Sequence, residues 1–181
     1  MRWLRFAVGL LVSVVVHAVL NRIAPGSLEF FDPYVILIVF YAMGGHLTGA
    51  IIAGLAAGFT QDAFTISIPG LHAFALVLSG YAVAFVNLRL ALRGILAFGG
   101  CLFGASLANE VIGFILPTIL VPEPLPFHPQ IVFARAIVTT LSGMVIYQLL
   151  AVLLKREPLE PAAKPEMVTG TRGLRGTLPG E

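Results

Sequence analysis

Long apolar runs, separated by short polar, glycine or proline breaks, fill most of the chain. The first follows Arg2 and Arg5 and ends near Leu20 without a small-x-small cleavage site, so we expect an uncleaved helix rather than a signal peptide. Further apolar runs cover residues 34–43, 47–59, 71–86, 94–116 and 130–154. Runs of this kind predict an all-α protein with six transmembrane helices.

The second run begins with a helix-start signal and ends early. The Asp32 side chain can accept hydrogen bonds from the first backbone N–H groups, and Pro33 suits the first turn. The sequence Gly-Gly-His at residues 44–46 then interrupts the run. A single helix over residues 33–59 would be about 40 Å long, against a hydrocarbon core of ~30 Å. The pattern therefore favours two short helices that are tilted or partly shielded.

Residues 54–81 organise the chain, because two apolar segments meet there around Asp62. The break at residues 69–70 leaves His72 just inside the next helix, so Asp62 and His72 are expected at the same membrane surface. Small residues recur every four positions before Asp62, and a similar pair lies in the fifth run: Gly49, Ala50, Ala53, Gly54, Ala57 and Gly58, then Gly100 and Gly104. Such rows predict close helix packing or a partner interface.

Composition requires a membrane environment. The 181 residues are 58% hydrophobic and 11% charged, which is more apolar surface than one small soluble core can bury. The single cysteine, Cys101, excludes an intrachain disulfide. The basic residues stand at segment ends without interleaved aromatic residues, so nucleic acid is not a predicted partner.

The basic residues also orient the predicted helices. With six spans, nine of the eleven lysines and arginines are cytoplasmic: Arg2, Arg5, Arg89, Arg93, Lys155, Arg156, Lys164, Arg172 and Arg175. Arg22 is then outside and Arg135 lies within a span, which satisfies the positive-inside bias with both termini cytoplasmic. Residues 1–154 form the predicted transmembrane domain. Residues 155–181, rich in Pro, Gly and charged residues, form a predicted disordered cytoplasmic tail.

Motifs between residues 32 and 81 resemble the rod-shape-determining MreD family. They comprise Asp32-Pro33, a glycine-rich third segment, G-x-x-x-G-x-x-Q-D at residues 54–62, Pro-Gly-Leu-His at 69–72 and Ser-Gly-Tyr at 79–81. The resemblance implies a multi-pass protein of the bacterial inner membrane in the cell-wall elongation complex, with MreC as partner and MreB, RodA and the elongation penicillin-binding protein as indirect partners. It also implies a helical fold similar to the substrate-binding subunit of energy-coupling-factor transporters, and no chemistry of its own.

A candidate polar site comprises Asp62, His72, His17 and Gln61, all in the outer half of the predicted bundle. Asp62 contacts a ligand or partner, caps the following helix turn or lies in headgroup water. His72 is either functional or a hydrogen-bonded packing residue. Gln61 and Asn109 suit interhelical hydrogen bonds. An acid–base or metal cluster of Asp62, His72, His17 and Glu110 is conceivable, but no catalytic or phosphate-binding motif accompanies these residues. No catalytic, cofactor or metal site is therefore predicted.

Glu110 and Arg135 form a predicted buried ion pair. Counted from the outer ends of their spans, their backbones differ in depth by about 8 Å at ~1.5 Å per residue, which long side chains can cross. The alternatives are that Arg135 reaches outer headgroups, or that Glu110 is protonated and bonds to Asn109 or a carbonyl group.

The family resemblance implies one function, and the fold that it implies allows a second. The first is a non-enzymatic membrane scaffold that holds MreC and links cytoplasmic filaments to peptidoglycan synthesis and rod shape. The second is a small-solute-binding subunit of a transporter, a class that docks its coupling partner through A-x-x-x-A in the first helix. Here the first span offers only Gly9 and Ser13 at that spacing.

Overall fold

The computed structural model describes residues 2–24, 26, 30–65, 69–120 and 128–154. Six helices account for nearly all of them: α1 (Arg2–Ile23), α2 (Pro33–Ala42), α3 (Leu47–Phe64), α4 (Leu71–Leu90), α5 (Gly94–Leu120) and α6 (Pro129–Leu154). The fold is all-helical, as the sequence predicts. The proposed tail, residues 155–181, lies outside the described residues.

Successive helices run in alternating directions between two ends of the bundle. At one end, called the Trp3 end, the Trp3 ring lies 5.8 Å from the Tyr41 ring, and Asn87 Nδ2 donates to the Met43 carbonyl at 2.6 Å. The starts of α1, α3 and α5 meet the ends of α2, α4 and α6 there. The opposite end contains Asp32 and is called the Asp32 end.

Helix α2 is short and central. It has ten residues, about 15 Å at 1.5 Å per residue, and it contacts each of the other five helices. Its buried residues are Pro33, Tyr34, Val35, Ile36, Ile38, Val39 and Ala42. The other five helices are long and apolar enough to cross a membrane. Of the two helices that the sequence predicts to be short and either tilted or partly shielded, α2 is the one that is short and surrounded by other helices.

Helix α3 is longer than predicted. It continues through the polar residues 60–62 to Phe64 and has 18 residues, so the expectation of two short helices is wrong for α3. The polar residues do not end the helix, because each of their side chains has a hydrogen-bond partner. The Thr60 hydroxyl donates to the Ala56 carbonyl, and Gln61 and Asp62 bond to groups on other segments.

Glycines of α3 allow α3 and α4 to approach closely. A Cβ atom at Gly54 would lie 2.8 Å from Val77 Cα, and one at Gly58 would collide with the backbone of Ala73. Ala50, Ala53 and Ala57 on the same helix are fully buried. Gly49 is only partly buried and faces the Tyr41 ring. Gly54 and Gly58 thus form an internal packing surface for α4.

The second small-residue pair faces outward. Gly100 and Gly104 are exposed, and among the described residues no atom of another helix lies within 4 Å of a Cβ atom built at either position. The expectation of close packing inside the bundle is therefore wrong for this pair. Gly99 serves that purpose instead, because its Cβ position would be 2.9 Å from Met144 Sδ on α6.

Helix α5 passes through Pro117, although the sequence predicts an end near residue 116. Proline removes one backbone hydrogen bond, a loss that α5 tolerates in its final turn. The Thr118 hydroxyl donates to the Phe114 carbonyl at 2.7 Å in the same turn.

Candidate functional site

Asp32 is the centre of a buried polar network at the Asp32 end. It caps α2 as predicted, since its Oδ1 accepts from the backbone N–H groups of Tyr34 at 2.9 Å and Val35 at 3.3 Å. Its backbone N–H donates to Thr139 Oγ1 on α6 at 3.2 Å. The residue is 2% exposed, so these bonds hold a charge that water does not reach.

The second oxygen of Asp32 connects two further helices. Asp32 Oδ2 accepts from Gln61 Nε2 on α3 at 3.3 Å and from Arg135 Nη2 on α6 at 3.5 Å. The predicted contact between Arg135 and Glu110 is also present, with Nη1 2.9 Å from Glu110 Oε1. One guanidinium therefore lies between two carboxylates, and the network joins α2, α3, α5 and α6.

Asp62 and His72 form a separate cluster at the turn between α3 and α4. His72 Nδ1 lies 2.8 Å from Asp62 Oδ1. The same carboxylate accepts from three backbone N–H groups, those of Gly70 at 2.9 Å, His72 at 3.1 Å and Ala73 at 3.4 Å. Asp62 thus caps the start of α4, which is one of the alternatives predicted for it, and its carboxylate fixes the orientation of the His72 ring.

His17 belongs to neither cluster. It is 8% exposed, and its ring packs between the rings of Tyr34 at 5.6 Å and Phe64 at 5.5 Å. The four predicted site residues are therefore divided: Asp62 and His72 are together, Gln61 bonds to Asp32, and His17 packs among aromatic rings. Among the described residues, no group of three His, Cys, Asp or Glu side chains has the arrangement of a metal site.

A cavity of about 370 Å³ lies between α4, α5 and α6 at the Asp32 end. Its polar lining consists of His72, Asn109, Glu110, His128 and Arg135. Its apolar lining consists of Leu71, Ala75, Gly113, Phe114, Ile131 and Val132. The cavity thus borders both polar clusters, through His72 of one and through the Glu110–Arg135 ion pair of the other.

Sequence reasoning missed Asp32 as a partner of Arg135. The Asp-Pro dipeptide explains a helix cap completely, so it gave no reason to seek a second role for this carboxylate. The depth of the two residues in the membrane was a usable signal. Asp32 precedes the second apolar run and Arg135 lies near the start of the sixth, and both runs start at the same membrane surface.

Comparisons with protein-family models, curated proteins and solved structures found no match.

Proposed function

We propose that this protein is a non-enzymatic scaffold of the bacterial cell-wall elongation complex, similar to MreD, that binds MreC in the inner membrane. One observation carries the proposal. Four residues of the matched motifs, Gly54, Gly58, Asp62 and His72, act together in one helical hairpin, where the glycines bring α3 onto α4 and Asp62 caps α4. These residues of the resemblance therefore have one structural role in common, which is to hold α4 against α3.

The exposed pair Gly100 and Gly104 is the surface that we assign to the membrane helix of MreC. Gly54 and Gly58 of α3 are occupied by α4, whereas Gly100 of α5 lines an apolar groove of about 370 Å³, and Gly104 lies one turn further along the same helix face. The groove is lined by Leu96, Gly99, Gly100, Phe103, Ile137, Thr140, Leu141 and Met144. Small residues let a second membrane helix approach the backbone closely, and packing of that kind drives helix association in lipid.

This interface predicts a specific loss of partner binding. Gly104→Leu should abolish recovery of MreC from native membranes without reducing the yield of folded protein, since a side chain there meets no other helix of the described bundle. Ala82→Leu on the exposed face of α4 is the matched control. Affinity purification with quantitative mass spectrometry measures both. Undiminished MreC recovery by Gly104→Leu would reject this surface.

We further propose six crossings with both termini cytoplasmic. The alternating helix directions support an even number of crossings, and Arg5, Arg89 and Arg93 all lie at the Trp3 end. The positive-inside bias then makes the Trp3 end cytoplasmic. The five other helices shield α2 from lipid, so its ten residues need not match the full hydrocarbon thickness.

Cysteine labelling tests this topology. In a Cys101→Ser background, Gly26→Cys should react with an impermeant maleimide in intact cells, and His46→Cys should react only after the membrane is opened. His46 precedes α3 at the Trp3 end and is exposed, so its accessibility reports whether α2 completes a crossing. Labelling of His46→Cys in intact cells would exclude six crossings.

A second candidate function is a solute-binding subunit of a transporter, and the cavity beside Glu110 and Arg135 favours it. Membrane proteins often bind small solutes between helices, with a few polar groups that fix the orientation. The same affinity purification separates the two functions. Recovery of MreC without a transporter ATPase supports the scaffold, and recovery of the ATPase without MreC supports transport.

A further inference from the structure

Three side chains form a column along the exposed face of α4, toward the Trp3 end. Tyr81, Phe85 and Arg89 are all exposed, and they lie above one another because four residues separate each from the next. The Tyr81 and Phe85 rings are stacked with their centroids 6.2 Å apart, and Arg89 Cζ lies 5.3 Å from the Phe85 centroid. We call these three residues the Tyr81 column. It is about 12 Å long at 1.5 Å per residue.

The Arg89 guanidinium is folded back toward the middle of α4. It lies over the Phe85 ring, one turn before its own Cα atom, and does not extend beyond the end of the helix. Helix α4 is long and apolar enough to cross a membrane, so its exposed face contacts lipid. An exposed arginine of a soluble protein is neutralised by water and salt, whereas this guanidinium borders hydrocarbon on one side.

The depth of this guanidinium follows from contacts at the Trp3 end. The Trp3 ring packs on Tyr41, and tryptophan rings at the ends of membrane helices lie at the level of the lipid headgroups. Asn87 donates to the carbonyl of Met43, which follows Tyr41 by two residues, so Asn87 is close to the same level. Arg89 is only about 3 Å further along α4. Its guanidinium therefore lies where lipid phosphates meet the hydrocarbon.

A second cation, Arg93, is presented beside the column by the turn between α4 and α5. The turn is short, with Ala91 in the left-handed region at the end of α4, and Leu92 packs against the core. Arg93 is exposed like Arg89. The carboxylates that the structure describes all lie at the other end of the bundle: Asp32, Asp62 and Glu110. Within the described residues, both arginines therefore lack a carboxylate partner, and an anion from the bilayer complements them.

We infer that the Tyr81 column and Arg93 bind one anionic phospholipid in the leaflet at the Trp3 end. The lipid phosphate accepts hydrogen bonds from the two guanidinium groups, which match phosphate oxygens through paired N–H donors. An acyl chain lies along the stacked rings of Phe85 and Tyr81. Zwitterionic lipids also carry a phosphate, but their ammonium group offsets its charge, so the site prefers an anionic headgroup. This inference concerns lipid contact alone and holds whether or not the protein binds MreC.

Lipid retention by the full chain tests the inference. The protein is reconstituted with equal amounts of phosphatidylglycerol and phosphatidylcholine of the same acyl chains, purified again in detergent, and its retained lipids are quantified by mass spectrometry. Wild type should retain phosphatidylglycerol by roughly twenty- to thirty-fold over phosphatidylcholine, since each arginine at an anionic membrane surface contributes about five-fold. Arg89→Gln combined with Arg93→Gln should bring the ratio near one. No preference in wild type, or an undiminished one in the double variant, overturns the inference and leaves the arginines to water or an acidic protein segment.

Arg5→Gln is the matched control for charge. Arg5 is an exposed arginine of the same end, but it lies on α1, which packs on α2 and α3. Its long-range attraction for anionic lipid is screened beyond about 8 Å at physiological salt, so the retained ratio should stay close to that of wild type. A loss as large as that of Arg89→Gln would show a general effect of surface charge and contradict a site on α4.

A substitution that leaves the charge unchanged tests the column itself. Phe85→Leu removes the ring that holds the Arg89 guanidinium, and the preference should fall by about two- to five-fold, the usual contribution of a cation–ring contact. Phe74→Leu, at an exposed ring near the start of the same helix, should have no effect. Equal ratios in Phe85→Leu and wild type contradict the assignment. MreC recovery from the same variants tests the scaffold proposal separately.

Discussion

Replacing Gly58 with leucine is expected to prevent α3 and α4 from packing, with loss of monodisperse protein in detergent. A Cβ atom at this position would collide with the backbone of Ala73, and the rest of a leucine side chain would require a still wider separation. Overpacking a protein interior costs about 1–3 kcal/mol when side chains can yield, and more when they cannot. Backbone of a capped helix cannot yield, so the effect should exceed that range. Size-exclusion chromatography and thermal unfolding measure it.

Gly104→Leu is the control for this substitution. It adds the same side chain to a membrane helix, but no other helix of the described bundle lies within 4 Å of its Cβ position. The variant should match wild type in yield and in unfolding temperature. Equal damage from both substitutions would show that helix propensity in lipid, rather than the contact between α3 and α4, explains the loss.

Arg135→Leu should be the most damaging substitution in the polar network. It removes the cation shared by Asp32 and Glu110 and leaves two carboxylates that are largely buried. Removing one partner of a buried ion pair typically costs about 3–5 kcal/mol, because the remaining charge is uncompensated. The measurement is the free energy or temperature of unfolding in detergent. Arg22→Leu, at an exposed arginine of the same end, is the matched control.

A mutant cycle separates the two carboxylates. Glu110→Leu combined with Arg135→Leu should recover part of the loss, since only Asp32 then lacks its cation. Adding Asp32→Asn should recover more, because asparagine still caps α2 while the charge is removed. Strictly additive effects of the single substitutions would mean that the three residues do not interact.

Features that depend on distance along the chain could be predicted from the sequence. Helix rise is fixed at ~1.5 Å per residue, so counting depth from the ends of the spans is enough to bring Glu110 and Arg135 together. The cap at Asp32 was also predictable, because it needs only the residue itself and the first helical turn that follows. The location of Asp62 and His72 at the same end of the bundle followed from two helix ends that share one turn.

Features that depend on rotation about a helix axis could not be predicted. In a soluble helix a polar face marks the exposed side, but the membrane helices here are apolar around nearly their whole circumference. The sequence therefore did not distinguish Gly99, which faces α6, from Gly100 and Gly104, which face outward. The second role of Asp32 was missed for a similar reason, since it depends on how α6 is placed beside α2.

The central position of α2 determines the order in which the protein can be completed during synthesis. Two of its neighbours, α1 and α3, are adjacent in the chain, but α4, α5 and α6 are translated later. Until α6 is in place, the Asp32 carboxylate lacks Arg135 and its backbone N–H lacks Thr139. Helix α2, the second to be synthesised, therefore acquires its last polar partners only from α6, the final helix. In a nascent chain that stops before α6, the polar network around Asp32 remains incomplete.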